Sequence, residues 1–141
     1  MLRAIYENIQ GGHEVRKNLI ELKKLLKEES NRMAFIYYLA GSYTLLYKLL
    51  EDEDAKVRKN TALIMGELAV PEFVDKLFEA YIKEDKLFVK GDYLVALSHL
   101  DYRHLLEELK ERLSFLTTSN FEETSMKHIH EEMKLLTNMI L

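Results

Sequence analysis

Cysteine is absent from this chain of 141 residues. Its absence excludes disulfide bonds, a thiol nucleophile, and zinc or iron–sulfur sites with cysteine ligands. It also fits a reducing compartment, and we expect a cytoplasmic protein. Proline occurs only once, as Pro71, and glycine five times, so few positions interrupt a helix.

A long apolar run is also missing. The longest stretch without a charged residue, 33–47, has 15 residues and contains the pair Gly41-Ser42. A membrane-spanning helix needs about 20 predominantly apolar residues. The first residues lack the apolar core of a signal peptide. We therefore expect no association with a membrane.

The remaining composition is typical of a folded helical protein. Hydrophobic residues make up 48% and charged residues 31% of the chain, and leucine, lysine and glutamate, which are strong helix formers, are abundant. The net charge of −4 is unevenly distributed: residues 1–50 carry a net charge of +3 and residues 51–85 a net charge of −5. This excludes a strongly basic nucleic-acid domain as a whole, while a local basic face near the N-terminus remains open.

One tetrapeptide recurs along the chain. Val-Arg-Lys-Asn occupies 15–18 and 57–60, and the related Val-Lys-Gly-Asp occupies 89–92. Each copy begins an apolar pattern with helical spacing that ends at a leucine eleven residues later. The separations of 42 and 32 residues predict a unit of two helices that is stacked at least three times.

Apolar periodicity and helix-breaking residues predict about eight helices in a single domain, 1–141. Helices are expected over 2–10, 13–28, 31–50 with a break at Gly41-Ser42, 55–69, 71–84, 86–99, 101–116, and 121 to the end.

Residues 49–68 resemble a HEAT repeat of the bacterial, phycobilin-lyase-like type. The family pattern has leucines, an Asp-x-Asp turn, Val-Arg, a small residue and a Gly-x-Leu exit. Here these features are Leu49-Leu50, Asp52 and Asp54, Val57-Arg58, Ala62, and Gly66-Glu67-Leu68. The other copies match less fully, since the first lacks Asp-x-Asp and the third has Lys90 in place of arginine. The resemblance implies an all-α, right-handed α-α superhelix of about seven to eight helices.

The resemblance also implies a structural ladder between repeats. In the family, the arginine commonly pairs with a loop aspartate of its own or a neighbouring repeat. The ladder positions in this chain are Arg16, Asp52, Asp54, Arg58 and Lys90. For Arg58 the expected partners are the carboxylates of Asp52 and Asp54, held through two parallel hydrogen bonds.

A narrower resemblance concerns the whole arrangement. HEAT units followed by a helix such as 126–141 are similar to the N-terminal extension of some bacterial RNA methyltransferases that carry a THUMP domain. This implies that the chain is the N-terminal part of a longer protein. The apolar end, 133–141, suggests either that more chain or a partner covers it, or that it folds back on the preceding helix. The Asn-Pro-Pro-Tyr type of catalytic motif is absent, so no activity is carried over.

Two groups of residues are candidates for an interaction surface. The first is basic and could meet phosphate, although interleaved glutamates also fit a solvated helix face. The second is aromatic and fits either an interface or the rim of the core. The candidates are Arg16, Lys17, Lys23, Lys24, Lys27, Tyr37, Tyr43 and Tyr47.

No pattern indicates a metal, cofactor or catalytic site. His128 and His130 are two residues apart and would point to different sides of a helix, and two ligands do not close a metal site. No Ser-His-Asp, Walker-type or glycine-rich cofactor motif occurs. We expect no cofactor and no enzymatic activity in this segment.

These observations favour a non-catalytic scaffold that binds a protein partner or an adjoining domain, with RNA as a further possibility. Two alternatives stay open. One is an enzyme on a HEAT-like fold, of the DNA-repair glycosylase or lyase type. The other is an architectural oligomer that associates through the C-terminal helix.

Overall fold

Nine α-helices form the protein in a computed structural model that describes residues 1–141. Two 3₁₀ turns, Arg103–Leu105 and Glu123–Ser125, precede the last two helices, and there are no strands. The all-helical prediction is confirmed. The helices are α1 (Leu2–Gln10), α2 (Val15–Leu25), α3 (Glu29–Leu39), α4 (Thr44–Leu49), α5 (Ala55–Leu68), α6 (Phe73–Lys83), α7 (Leu87–Leu97), α8 (Leu106–Thr118) and α9 (Met126–Ile140).

The count of nine exceeds the predicted seven to eight because the segment 31–50 contains two helices. The break lies where the sequence places it. Ala40 and Gly41 both have positive φ, at 52° and 78°, and this left-handed backbone ends α3. Glycine adopts such a conformation without steric cost, so Gly41 suits the turn that leads to α4.

Four helices follow one another in a row. α2 packs against α5, α5 against α7, and α7 against α9. The other five helices pack beside this row: α1 on α2, α3 on α1 and α5, α4 on α5, α6 on α7 and α8 on α9. The three copies of the tetrapeptide all lie in row helices, in α2, α5 and α7. The three similar sequence segments therefore lie in helices that pack against one another in order.

The core is continuous through the row. Thirty-one buried apolar residues form one cluster that includes members of all nine helices. Where α5 meets α7, the two backbones come very close, because a Cβ atom placed on Gly66 would lie 2.6 Å from the Cα atom of Ala96. The absence of a side chain at Gly66 is what allows this approach.

The apolar C-terminal segment folds back on the chain. α9 packs against both α7 and α8, and its residues Ile129, Leu136 and Met139 are buried, while Leu141 is exposed. Of the two alternatives for this segment, the structure therefore shows the one in which it folds back on the preceding helix.

None of the nine helices is long and apolar enough to cross a membrane.

Candidate functional site

The two aspartates of the turn before α5 organise its backbone. An oxygen of the Asp52 carboxylate accepts a hydrogen bond from the Asp54 N–H at 2.8 Å, and Asp54 in turn caps α5 by accepting from the Lys56 N–H at 2.8 Å. Arg16 of α2 donates to the second oxygen of Asp54 from Nη2 at 2.7 Å and from Nε at 3.0 Å. Asp54 therefore links two neighbouring row helices, α2 and α5.

Arg58 has a different carboxylate partner from the one predicted. Its Nε and Nη2 atoms donate to the two oxygens of Glu84 at 2.9 and 2.8 Å. Its Nη1 atom donates to the backbone carbonyl oxygens of Asp52 and Glu53 at 2.8 and 3.1 Å. The prediction that Arg58 pairs with the carboxylates of Asp52 and Asp54 is wrong, because its guanidinium instead bonds the carboxylate of Glu84 and the backbone carbonyl oxygens of the turn.

Glu84 is a buried carboxylate with four donors. Besides Arg58, it accepts from the Tyr93 hydroxyl at 3.0 Å and from the Lys86 N–H at 3.1 Å, and only 2% of its side chain is exposed. Burial by itself raises the pKa of Glu84, but the hydrogen bonds, first that from Arg58, lower it overall. Burial, followed by the charge of Glu84, raises the pKa of Tyr93, so its hydroxyl remains a donor.

The lowered pKa of Glu84 predicts loss of stability in acid. A carboxyl group whose pKa is lower in the folded state stabilises the protein fully above its unfolded pKa, here 4.5, and this stabilisation disappears as the pH falls through the folded value. We expect the free energy of unfolding, measured with urea from about pH 7 to about pH 3, to fall less steeply in Glu84→Gln than in the wild type. Asp85→Asn is the matched control, since Asp85 is exposed and 4.0 Å from Arg58. If the free energy of unfolding fell equally steeply with pH in Glu84→Gln and the wild type, the lowered pKa of Glu84 would be contradicted.

A second buried cluster repeats this chemistry between other helices. Arg112 of α8 donates to Glu132 of α9 from Nε at 2.7 Å and from Nη2 at 3.1 Å, and the Tyr81 hydroxyl of α6 donates to the same carboxylate. Lys90 lies beside this cluster and donates from Nζ to the Tyr81 carbonyl oxygen at 2.6 Å. Burial, then the nearby charge of Arg112, lowers the pKa of Lys90. Lys90 therefore closes the C-terminal end of α6, which is a structural role.

One cleft is lined by the Arg58–Glu84 pair and Tyr93. It has a volume of about 480 Å³ and is bordered by the turns that precede α5 and α7. Carboxylates outnumber lysines at its rim, but the side chains at its floor are already bonded to one another. No buried polar side-chain atom anywhere in the chain lacks a hydrogen-bond partner. The fully buried polar atoms of both clusters are therefore bonded within the chain.

A different surface is formed by the outward sides of the row helices, and we call it the row surface. A line of polar residues crosses it from α2 to α9. Lys23 donates to the Asn60 side chain at 3.1 Å, and Asp92 is close enough to Lys59 and Lys23 that their charges act on its pKa, which burial raises overall. The charge of Glu131 adds to this increase. The line consists of Lys23, Asn60, Lys59, Asp92 and Glu131.

Apolar side chains are interspersed on the row surface. Leu63 of α5 and Val95 of α7 are half-buried, yet they do not belong to the partly buried side chains that pack against the core. Their separation of 32 residues equals that of the second and third tetrapeptides. Phe88 is exposed beneath Lys56, whose Nζ atom lies 5.3 Å from the ring centroid. Ile20 of α2 is also exposed.

The predicted basic candidates are only partly free. Arg16 is bound to Asp54, Lys23 to Asn60, and Lys24 lies 3.5 Å from the Glu21 carboxylate. Lys17 and Lys27 form no hydrogen bond or ion pair. The structure therefore distributes these five cations between structural contacts and exposed positions rather than in one dense stripe.

The predicted aromatic candidates also divide into two groups, one packed at the rim of the core and one exposed. Tyr43 and Tyr47 pack edge-on against Phe73, with ring centroids 4.8 and 6.2 Å apart, so they form the rim of the core. Tyr37 is 78% exposed and lies outside that contact. The sequence groups these tyrosines, but only Tyr37 is an exposed surface residue.

The structure holds no group of three or more histidine, aspartate or glutamate side chains arranged to bind a metal ion. Comparison with protein-family models, curated proteins and solved structures finds no match to this chain.

Proposed function

We propose that the chain is a non-catalytic scaffold of the HEAT-like type that binds a partner protein, or an adjoining domain, on its row surface. The order of contacts from α2 through α5 and α7 to α9 supports a stack of helix pairs. A right-handed superhelix is part of the proposal, since this is the form that the resemblance at 49–68 implies.

The observation that carries the proposal is the pair of apolar residues Leu63 and Val95, which are 32 residues apart, partly exposed, and not among the side chains that pack against the core. Folding covers these side chains only in part, and each further Å² that a partner covers would contribute about 25 cal/mol. The lysines around these two residues would form the polar rim that protein interfaces have.

The other functions predicted from the sequence are less well supported. The fully buried polar atoms of the Arg–Glu–Tyr clusters are bonded internally, which favours a structural role for them over the glycosylase or lyase alternative. Because the apolar side of α9 packs inside the chain, association through this helix has little apolar surface to use. RNA binding, membership of an RNA methyltransferase, and a cytoplasmic location stay predictions.

Affinity capture with variants of the row surface tests the proposal. The intact chain is compared with Leu63→Asp and with Lys48→Glu, which changes an exposed charge on α4, outside the row surface. We expect a partner protein that is retained by the wild type and by Lys48→Glu but lost by Leu63→Asp, and that binds the purified chain in the same order. The proposal is overturned if every captured protein binds all three chains equally.

A further inference from the structure

We infer that the row surface binds an acidic amphipathic helix of the partner protein. This inference rests on the proposed function and specifies the chemistry of the partner. The charges, the apolar residues and the spacing of the row helices support it.

The charges of the row surface are unbalanced toward the basic side. Lys23 projects from α2, Lys27 follows the end of α2, and Lys56 and Lys59 project from α5. Burial lowers the pKa of Lys23, and the charges of Lys59 and Lys27 lower it further while that of Asp92 raises it, so these lysines lie close enough to repel one another. Folding holds the four lysines near only two carboxylates of the polar line, Asp92 and Glu131. A partner that carries carboxylates would remove this repulsion.

The apolar residues define the other half of the partner. Leu63, Phe88 and Val95 lie on the adjacent helices α5 and α7, and the lysines flank them. Neighbouring helix axes are about 8–10 Å apart, which is close to the diameter of one helix with its side chains. A helix laid along this surface could place apolar residues at i, i+3 and i+4 on Leu63 and Val95, and acidic residues toward the lysines on its other edge.

The same features favour a protein over a nucleic acid. Phosphate backbones would use the lysines but leave Leu63 and Val95 uncovered. They would also be repelled by Asp92 and Glu131, which lie in the polar line itself. Binding through phosphate neutralisation depends on several cations with no interleaved anion. A carboxylate-bearing helix can instead place its charges only where lysines face it.

The test uses three labelled probes and the full chain, with fluorescence anisotropy as the readout. The first probe is a synthetic amphipathic helix with leucines on one side and glutamates on the other. The second is the same peptide with lysine in place of every glutamate, and the third is a single-stranded RNA of similar length. We expect the glutamate peptide to bind at least about tenfold more tightly than the lysine peptide, which corresponds to about 1.4 kcal/mol. Its affinity should fall as salt is raised.

Variants place the binding on the row surface. The double variant Lys27→Glu/Lys59→Glu should weaken the glutamate peptide at least about tenfold, because two attractive charges become repulsive. Leu63→Ser should weaken it at a temperature at which the variant is still folded, since Leu63 is only partly buried. Lys48→Glu is the matched control and should bind like the wild type.

Three outcomes would overturn the inference. They are equal binding of the two peptides, tighter binding of the RNA with the same variant dependence, and loss of peptide binding in Lys48→Glu as well. A basic or uncharged partner captured through Leu63 would leave the proposed function standing and remove only the acidic helix. If no captured protein depends on Leu63 but the glutamate peptide still prefers the row surface, the proposed function fails and the surface preference remains.

Discussion

Replacing Arg58 by alanine is expected to lower the free energy of unfolding by about 3 to 5 kcal/mol, the range for removing one partner of a buried ion pair. The side chains of Arg58 and Glu84 are 14% and 2% exposed and share two hydrogen bonds of 2.8 and 2.9 Å. In the variant, Glu84 would keep only the Tyr93 hydroxyl and the Lys86 N–H as donors. The carbonyl oxygens of Asp52 and Glu53 would also lose their donor.

The contribution of Glu84 to the free energy of unfolding should depend on pH with the opposite sign in Arg58→Ala and in the wild type. Without the guanidinium, burial is the dominant influence on Glu84, and burial raises the pKa of a carboxyl group. A carboxyl group with a raised folded pKa stabilises the protein below its unfolded pKa, and this stabilisation is lost as the pH rises through the folded value. The variant should therefore be least different from the wild type in acid and most different near neutral pH.

Two controls separate the buried charge from other effects of the substitution. Arg103→Ala removes an arginine whose contact with Asp101 is shorter, at 2.6 Å, but whose side chain is 84% exposed, so no measurable change in melting temperature is expected. The double variant Arg58→Met/Glu84→Leu removes both charges and should recover much of the loss. Peptide binding on the row surface should be unchanged in Arg58→Ala. A melting temperature close to that of the wild type would contradict the structural role of Arg58.

The partner of Arg58 could have been predicted from the sequence, by applying the 32-residue spacing to the turn before α5. That spacing places Asp52 at Glu84, and Asp54 at Lys86. The local geometry agrees, since Asp52 accepts from the N–H two residues later and so does Glu84. The Asp-x-Asp pattern concealed this equivalence, because glutamate is one carbon longer and the residue two positions after it is Lys86 rather than an aspartate.

The second buried cluster could not be derived in the same way. Arg112, Glu132 and Tyr81 lie on three different helices, and no copy of the tetrapeptide places them together. Their contact depends on how α6, α8 and α9 pack around α7, which is a property of tertiary structure. Sequence periodicity identifies Leu136 as apolar and therefore buried, but it offers no reason to bury Glu132 one turn earlier. A buried carboxylate needs a cation from elsewhere in the fold, and the chain does not mark where that cation lies.

The row surface was also only partly visible in the sequence. The basic residues of α2 stood out, whereas Lys56 and Lys59 of α5 did not, because acidic residues precede them at 51–54. Leucine and valine are also the residue types of the core, and only the packing shows that Leu63 and Val95 are not among the side chains that contact it. Helical spacing assigns a residue to a side of its helix, but it does not determine which sides the neighbouring helices cover.

Two glycine substitutions within the row are expected to change stability in opposite directions. Gly66→Ala should lower the free energy of unfolding by about 1 to 3 kcal/mol, since overpacking costs this much where the surroundings cannot yield. The new Cβ atom would lie 2.6 Å from the Cα atom of Ala96 and 2.9 Å from its Cβ atom, so the backbones of α5 and α7 would have to separate.

Gly91→Ala, one helix further along the row, should instead raise the free energy of unfolding by about 0.5 to 1 kcal/mol, the advantage of alanine over glycine inside a helix. The Cβ atom there would meet the Leu135 side chain at 3.6 Å, an ordinary contact, and the backbone conformation is helical. Both changes add the same methyl group to a row helix, so chemical denaturation of the two variants side by side isolates the effect of the helix separation. If Gly66→Ala were as stable as Gly91→Ala, the close approach of α5 and α7 at Gly66 and Ala96 would be contradicted.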